Sequence, residues 1–247
     1  MKQMLPVFLV LTFAACQQQP GGATQAVKDS VVTVSAAPAA TATVSPTDTV
    51  TIGGRLFRFT DIGQSEFDAV PALVPDTSEA VNLARVPSRV QRSGDSLIFS
   101  LENGGQKILV NNHSDNDDYA QFIFQAYLPE TQHWLVLHNG YEWFSYDLVS
   151  ARDGEVIQTI GVPQFSPDKK YFIASNADLV AQFTDNGFEL FEVRKDGPVE
   201  IHSGMLDNWG PVIIKWKDAN TLVGEIKTVN EQMEETTRFV KFFLSGK

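Results

Sequence analysis

The chain has one cysteine among its 247 residues, Cys16. A single cysteine cannot form an internal disulfide, a C-x-x-C redox pair or a cysteine-rich zinc site. Cysteine chemistry is therefore excluded from the rest of the chain. Cys16 itself has to be explained by its position near the N-terminus.

Motifs of several common enzyme classes are also missing. The sequence contains no G-x-S-x-G nucleophile elbow, no G-x-G-x-x-G dinucleotide fingerprint and no G-x-x-x-x-G-K-[ST] phosphate loop. We therefore predict no catalytic residue and no cofactor, and we do not expect an enzyme. The 30 Asp and Glu residues always offer carboxylate pairs, so their spacing alone is no test for hydrolytic catalysis.

Basic residues are few. The 19 Lys and Arg stand against 30 Asp and Glu, and the formal net charge is −11. Nucleic-acid binding depends on basic patches that neutralise phosphates, so nucleic acid is not an expected partner. The same negative charge is unfavourable for contact with anionic lipid. Membrane contact is therefore expected only from a separate anchor.

The chain also lacks a hydrophobic run long enough to span a membrane as a helix. Lys2 precedes an apolar run from Leu5 to Ala15, shorter than the roughly 20 residues of such a helix and typical of a secretory signal. The run ends in "LTFAAC", which resembles the lipobox of bacterial lipoproteins. This resemblance implies a signal peptide over residues 1–15, cleavage before Cys16, a diacylglyceryl group on its sulfur and an acyl group such as palmitate on its amine.

The residue after Cys16 bears on where the lipoprotein is sorted. Gln17 stands where an aspartate favours retention in the inner membrane. Glutamine in place of aspartate at this position implies the outer membrane, facing the periplasm, in a Gram-negative source. Several acyl chains satisfy the need for more than one lipid signal in stable anchoring.

The stretch that follows, residues 16–49, differs in composition from the rest of the chain. After Cys16 it contains no aromatic residue, no Leu and no Ile, and is rich in Ala, Thr, Ser and Pro. Such a segment buries too little apolar surface to offset its ordering entropy. We predict a disordered tether, with a span of roughly 30 Å, between the lipid and a domain over residues 50–247.

The predicted domain is dominated by short apolar runs such as "AQFIFQAYL", "HWLVLHN" and "TRFVKFFL", separated by turn signals such as Gly94-Asp95 and Pro167-Asp168. Many short strands with frequent turns predict an all-β sandwich, barrel or propeller. Alternate positions of "TRFVKFFL" are apolar on both faces, which indicates a sheet covered on both sides and favours a propeller. Only Ser78–Val86 suggests a short helix or turn.

One hairpin signal recurs along this domain. In "QFSPDKKYFIA" the aromatic Phe165 precedes a polar turn and then an apolar strand, and a similar order follows Val90, Tyr127 and Trp216. The four positions are 37, 38 and 51 residues apart. A period of about 40 residues with several strands in each unit is typical of propeller blades.

The hairpin over Phe165–Ala174 resembles the f-S-P-D-G-k-x-i-a hairpin of TolB-like and WD-type β-propellers, with Lys169 in place of the usual glycine. The region Tyr141–Trp216 is similar to uncharacterised bacterial envelope proteins, and this resemblance implies fold and location only. We expect a propeller-like domain of four or five short-stranded blades, with a β-sandwich as the alternative. A strand near Val50–Thr60 is expected to pair with the last blade and close the ring.

Metal binding has one weak set of candidates, in "HSDND". His113, Asp115 and Asp117 are two residues apart, so an extended loop brings them together, and their oxygens suit calcium or another hard cation. Acidic, Asn-rich loops are far more often solvated turns, so no metal is predicted. His133 and His138 are five residues apart, which places them on opposite faces of a strand and excludes a shared metal.

Aromatic residues are concentrated between Tyr119 and Tyr146. Their strand-like spacing predicts blade core, because large rings dominate burial, rather than a stacking platform for a sugar or peptide. Trp209, in the stretch "DNWGPV", is the exception: its loop context suggests an exposed ring that serves a partner.

These features predict a membrane-anchored envelope lipoprotein that acts as a binding or scaffold module for an envelope protein, a peptide or a glycan. The alternative is a periplasmic hydrolase that acts on glycan or peptide through carboxylates at the ring centre. Propellers host such sites, although a fold alone does not establish an activity. A structural lipoprotein without a ligand is the third interpretation.

Overall fold

The computed structural model describes residues 48–52, 55–230 and 232–244. The chain divides into two units, Met1–Thr43 and Val44–Lys247, and all described residues belong to the second. Cys16, the predicted signal peptide and the predicted tether up to residue 47 lie outside the described residues. No helix within the described ranges has the length and apolarity needed to cross a membrane.

The described chain begins with two strands and two short helices: β1 (Asp48–Ile52), β2 (Arg55–Asp61), α1 (Gln64–Asp68) and α2 (Glu79–Ala84). Three groups of strands follow: β3 (Val90–Ser93), β4 (Ser96–Ser100) and β5 (Gln106–Val110); β6 (Ala120–Leu128), β7 (His133–Gly140), β8 (Phe144–Ser150) and β9 (Val156–Thr159); β10 (Gln164–Phe165), β11 (Tyr171–Asn176), β12 (Gly187–Arg194) and β13 (Gly197–Met205). The last group is β14 (Trp209–Trp216), β15 (Thr221–Val229) and β16 (Glu235–Leu244).

These strands form four antiparallel sheets, and three of them are built from strands that follow one another in the chain. The first sheet is β3-β4-β5, the second is β6-β7-β8-β9 and the third is β10-β11-β12-β13. The fourth has the order β1-β2-β16-β15-β14, so the first described strands join the last ones. The predicted pairing of a strand near Val50–Thr60 with the C-terminal sheet is therefore confirmed.

The four positions of the recurring hairpin signal fall one in each sheet, in the first strand of the first three sheets and in β14 of the fourth. Val90 lies in β3, Tyr127 in β6, Phe165 in β10 and Trp216 in β14. In each sheet this strand pairs with the next one in an antiparallel hairpin. The repeat seen in the sequence thus predicts the four sheets correctly.

The turn between β10 and β11 shows how the sequence forms these hairpins. The Ser166 hydroxyl donates to the Asp168 carboxylate at 2.8 Å and accepts the Tyr171 N–H at 3.0 Å. The Lys169 N–H donates to the Ser166 carbonyl at 2.9 Å, which closes the turn. Ser, Pro and Asp favour turns for these reasons: a fixed φ for Pro and local side-chain acceptors for the other two.

The hydrophobic clusters join the sheets in chain order. Buried side chains of the first and second sheets pack together, those of the second pack with the third, and those of the third pack with the fourth. On β11, Phe172 packs toward the second sheet and the next residue, Ile173, packs toward the fourth. On β7, Trp134 and Leu135 divide in the same way between the first and third sheets.

The two middle sheets are thus covered on both faces. The sequence "TRFVKFFL" lies in β16 of the fourth sheet, where Phe242 is buried and Phe243 is 41% exposed. A β-sandwich has one inner and one outer face for each sheet, whereas stacked blades cover both faces. The domain is all-β and propeller-like, with four sheets. The short helix over Ser78–Val86 is also present, as α2.

Candidate functional site

A pocket with a volume of about 430 Å³ lies between strands of the second, third and fourth sheets and the segment between α1 and α2. We call it the central pocket. Its lining includes residues 73–75, 77 and 160–162 from connecting segments. The strands contribute Ile123 and Gln125 (β6), Leu137 (β7), Phe144 and Tyr146 (β8), Gln164 (β10), Ser175 and Asn176 (β11), and Val212 and Ile213 (β14).

Two β-bulges contribute to this lining. The register of β6 against β7 shifts between Phe124 and Ala126, which leaves Gln125 as the extra residue. The register of β14 against β15 shifts between Pro211 and Ile213, which leaves Val212 as the extra residue. Both extra residues line the central pocket. Bulges redirect side chains and are common next to functional sites, so their coincidence here marks the pocket as the candidate site.

Gln125 is the polar side chain with the most unusual environment in the pocket. It is only 8% exposed, and its amide makes no hydrogen bond within the described part of the chain. The oxygen and nitrogen of this amide keep some access to solvent, unlike the enclosed unpaired atoms Thr131 Oγ1 and Trp216 Nε1 in the described part of the chain. An amide that faces a pocket without a protein partner is available to a ligand, both as a donor and as an acceptor.

Tyr146 is a second polar group of this kind. Its ring lies 6.1 Å from that of Phe144 in an edge-to-face arrangement, and its hydroxyl has no hydrogen-bond partner among the described residues. Burial raises the pKa of the Tyr146 phenol. The hydroxyl therefore stays protonated at neutral pH and remains available as a hydrogen-bond donor.

The other polar lining groups are held by the protein. The Gln164 amide exchanges two hydrogen bonds with the Leu73 backbone, at 2.8 and 2.9 Å. The Ser175 hydroxyl accepts the Ile214 N–H at 3.1 Å, and the Asn176 amide donates to Thr184 at 2.8 Å. These bonds fix the walls of the pocket. Gln125 and Tyr146 are the less exposed side chains of the described lining that keep free polar atoms, whereas the unpaired Thr77 hydroxyl is exposed.

One carboxylate lies beside the pocket without lining it. The Glu189 side chain accepts the N–H of Ile160, a lining residue, at 3.1 Å. Burial raises the pKa of Glu189 to about 7, and the nearby charges of Glu200 and Asp185 act in the same direction. The carboxyl group that titrates is thus hydrogen-bonded to the β9–β10 connection, which forms one wall of the pocket.

The weak metal candidates of the sequence are not brought together as a metal site. The His113 Nε2 atom lies 2.7 Å from the Asp95 carboxylate, and that contact is exposed. No group of three or more His, Cys, Asp or Glu side chains in the described ranges is placed to hold a metal ion. Asp115 and Asp117 are exposed in the loop between β5 and β6.

His133 and His138 also have separate surroundings. His133 is buried, its Nδ1 atom lies 2.6 Å from the Thr131 carbonyl, and burial lowers its pKa. The His138 ring packs on Phe122, with centroids 4.2 Å apart, and its Nδ1 atom lies 3.4 Å from the Asp147 carboxylate. The two histidines thus contact different residues.

The prediction for Trp209 is wrong. This residue begins β14 and is only partly exposed, with its ring centroid 5.9 Å from those of Phe59 and Phe242. It packs against the core of the fourth sheet because β14 starts earlier than the turn-like sequence suggests.

The aromatic-rich region divides into two parts. Phe124 and Trp134 are fully buried, as the strand spacing predicts. Tyr141 and Trp143, in the connection between β7 and β8, are 41% and 37% exposed. Phe144 is 36% exposed and stands at the pocket.

Sequence reasoning missed Gln125 and Tyr146 as site residues. In the sequence Gln125 is a polar residue between apolar ones, which is indistinguishable from the solvent face of a strand. The only signal is an interrupted alternation in "FIFQAYL": the polar Gln125 stands between Phe124 and Ala126, which both pack toward the core. Tyr146 carries no local signal, because an aromatic residue in a strand is usually core.

No protein-family model and no curated protein matches the chain. Among solved structures, the chain is similar to the subtype N11 neuraminidase-like protein of A/flat-faced bat/Peru/033/2010 (H18N11), with 10% sequence identity and a TM-score of 0.23. The alignment covers 78% of this chain and 57% of that one. A TM-score this low carries no argument, so the fold assignment rests on the strand pairing alone.

Proposed function

We propose that the protein is a lipid-anchored envelope protein whose domain is a binding module, with the central pocket as its binding site. The observation that supports this proposal is the buried Gln125 amide, which faces the pocket without a protein partner. Pockets that bind ligands are mostly apolar and carry a few polar groups that fix orientation, and this lining has that character. Anchoring through Cys16 at the outer membrane, facing the periplasm, is part of the same proposal.

The binding module is favoured over the hydrolase alternative by the charges at the site. The described lining of the central pocket contains no Asp, Glu, Lys, Arg or His. Glycoside hydrolysis requires two carboxyl groups on either side of the scissile bond. Glu189 lies beside the lining rather than in it, and its carboxylate accepts the N–H of Ile160.

The proposal is tested by crosslinking in intact cells, followed by purification of the tagged protein and mass spectrometry. Three variants accompany the wild type. Cys16→Ala removes the anchor. Val212→Trp fills the pocket from its rim, and Val156→Trp is the matched control, because both valines are 36% exposed and only Val212 lines the pocket.

We expect one envelope partner to be crosslinked by the wild type and by Val156→Trp, and to be lost with Val212→Trp. Loss with Cys16→Ala assigns the anchor a role in the encounter. A partner that is retained by Val212→Trp contradicts the pocket as the binding site. The absence of any partner with the wild type contradicts the binding module for an envelope protein.

A further inference from the structure

We infer that the central pocket binds an uncharged, mostly apolar group that carries an adjoining carboxamide, and that it excludes carboxylates and ammonium groups. This inference rests on the proposed function, since it names the chemistry of the ligand for the same site. A carboxamide attached to an apolar body occurs in a neutral peptide residue and in a small neutral amide, and the two sources share this chemistry.

The exclusion of charged groups follows from the lining. The described wall of the pocket offers no ionic partner, and its surface is built mainly from residues such as Leu73, Ile123, Leu137 and Ile213. Transfer of an ionised group from water into such surroundings is strongly unfavourable without a counter-charge. A neutral apolar body instead gains from burial in proportion to its area.

The preference for a carboxamide follows from Gln125. Its side chain presents an unpaired carbonyl oxygen and an unpaired NH₂ group at one place, so a ligand that both donates and accepts satisfies it completely. A ligand carboxamide does so, because its NH₂ group donates to the Gln125 carbonyl oxygen while its own carbonyl oxygen accepts from the Gln125 NH₂ group. A purely apolar ligand leaves both groups without partners, which is costly in a buried site.

Tyr146 adds a second polar group on β8, which is separated from β6 by β7. Its hydroxyl makes no hydrogen bond among the described residues and can donate to a ligand oxygen. The Tyr146 hydroxyl and the Gln125 amide are thus two separate polar points in the pocket wall. The volume of about 430 Å³ is in the range of pockets that hold small molecules or a single large side chain.

The test measures the affinity of four probes by saturation-transfer NMR, with the full-length protein in lipid nanodiscs and empty nanodiscs as the reference for partitioning. The probes share a phenyl ring: N-acetyl-L-phenylalaninamide is neutral, N-acetyl-L-phenylalanine is anionic, L-phenylalaninamide is cationic, and toluene is apolar only. We expect the neutral amide to bind at least about tenfold more tightly than either charged probe.

Variants then assign the preference to its residues. Gln125→Leu is expected to weaken N-acetyl-L-phenylalaninamide about tenfold while toluene binds as well as before or better. Gln106→Leu, an exposed glutamine on β5, is the matched control and should change neither affinity. Gln125→Leu should also unfold in one cooperative transition at or above the melting temperature of the wild type, because an apolar side chain replaces an amide in a mostly apolar wall. This transition shows that the variant is folded.

Three results would overturn the inference: equal affinity for the neutral and charged probes, no saturable binding of the neutral amide, or unchanged amide affinity in Gln125→Leu. A capped tripeptide with a central phenylalanine distinguishes the sources. Binding at least as tight as the single residue indicates a peptide segment, and weaker binding indicates a free small molecule; either result supports the inference. If the amide binds but no partner is crosslinked in cells, the ligand chemistry stands and the protein-partner proposal fails.

Discussion

Lys169 stands where the resembling propeller hairpins carry glycine, and its backbone explains why glycine is usual there. Its φ is 60°, in the left-handed region that L-residues adopt at a cost. The lysine side chain makes contacts that glycine cannot. Its Nζ atom lies 3.0 Å from the Glu130 carboxylate and 5.5 Å from the centroid of the Phe165 ring. Lys169 thus links the β10–β11 turn to the β6–β7 turn of the second sheet.

The cost of this backbone conformation is measured by comparing Lys169→Gly with Lys169→Ala. Both remove the contacts with Glu130 and Phe165, and only alanine retains the strain. We expect Lys169→Ala to have a free energy of unfolding about 1 kcal/mol lower than Lys169→Gly in urea titrations. Equal stabilities of the two variants would show that the turn relaxes out of the left-handed conformation.

Glu189 gives the fold a specific pH dependence. Its pKa is raised from 4.5 to about 7 by burial, so between these pH values the folded protein binds more protons than the unfolded chain. The contribution of this group to stability is therefore present at low pH and is lost as the pH rises through about 7. Glu189→Gln should be as stable as the wild type near pH 4.5.

At pH 8 the expected difference for Glu189→Gln is a gain of about 1 kcal/mol, a figure reduced for the partial exposure of the side chain to water. The measurement is urea unfolding at pH 4.5, 6 and 8. Glu155→Gln, an exposed residue before β9, is the control and should follow the wild type at each pH. A Glu189→Gln curve parallel to that of the wild type would contradict the raised pKa.

At the scale of elements, β6 is an edge strand whose free backbone groups are met by side chains. The Glu79 carboxylate accepts the Phe124 N–H at 2.8 Å, and the Arg92 guanidinium donates to the Phe122 carbonyl. Glu79 and Arg92 also form a two-point ion pair, at 2.6 and 3.1 Å. The two side chains satisfy backbone groups that a neighbouring strand would otherwise pair with, so this part of the edge is not available for pairing with another chain.

Removal of this pair should destabilise the second sheet. Glu79→Ala leaves the Phe124 N–H and the Arg92 guanidinium without their acceptor, and we expect a loss of about 2–3 kcal/mol in the free energy of unfolding. Glu102→Ala is the control, because its contact with Arg89 is exposed and 3.5 Å long, and it should cost less than about 0.5 kcal/mol. Similar losses in the two variants would show that the edge of β6 does not depend on Glu79.

The elements differ in how far the sequence predicts them. The hairpins at Phe165 and Trp216 follow from local turn chemistry and local apolar runs, so the sequence contains what is needed. The bulges at Gln125 and Val212 depend on the register against a partner strand, which no local pattern specifies. The candidate site is built around these bulges, and it was therefore missed although the strands that carry it were predicted.

At the scale of the molecule, the fourth sheet joins the two ends of the described chain. Phe59 of β2 pairs in register with Phe242 of β16, and their rings are 5.8 Å apart. Phe59 also contacts Trp209 at the start of β14. The hydrophobic clusters connect all four sheets in sequence. Weaker packing between β2 and β16 is therefore expected to destabilise the whole domain rather than to release β2 alone.

Phe59→Ala tests this cooperativity. The side chain is 7% exposed, and its removal should cost about 3–5 kcal/mol, a large share of the total stability of a domain. We expect a single urea transition followed by far-UV circular dichroism, with a lower midpoint and an unchanged slope. Phe243→Ala, on β16 but 41% exposed, is the control and should cost less than about 1 kcal/mol. If β2 instead unfolds independently, Phe59→Ala will leave the midpoint unchanged and will only accelerate amide exchange in β2 and β16, because a closure that frays without consequence does not hold the sheets together.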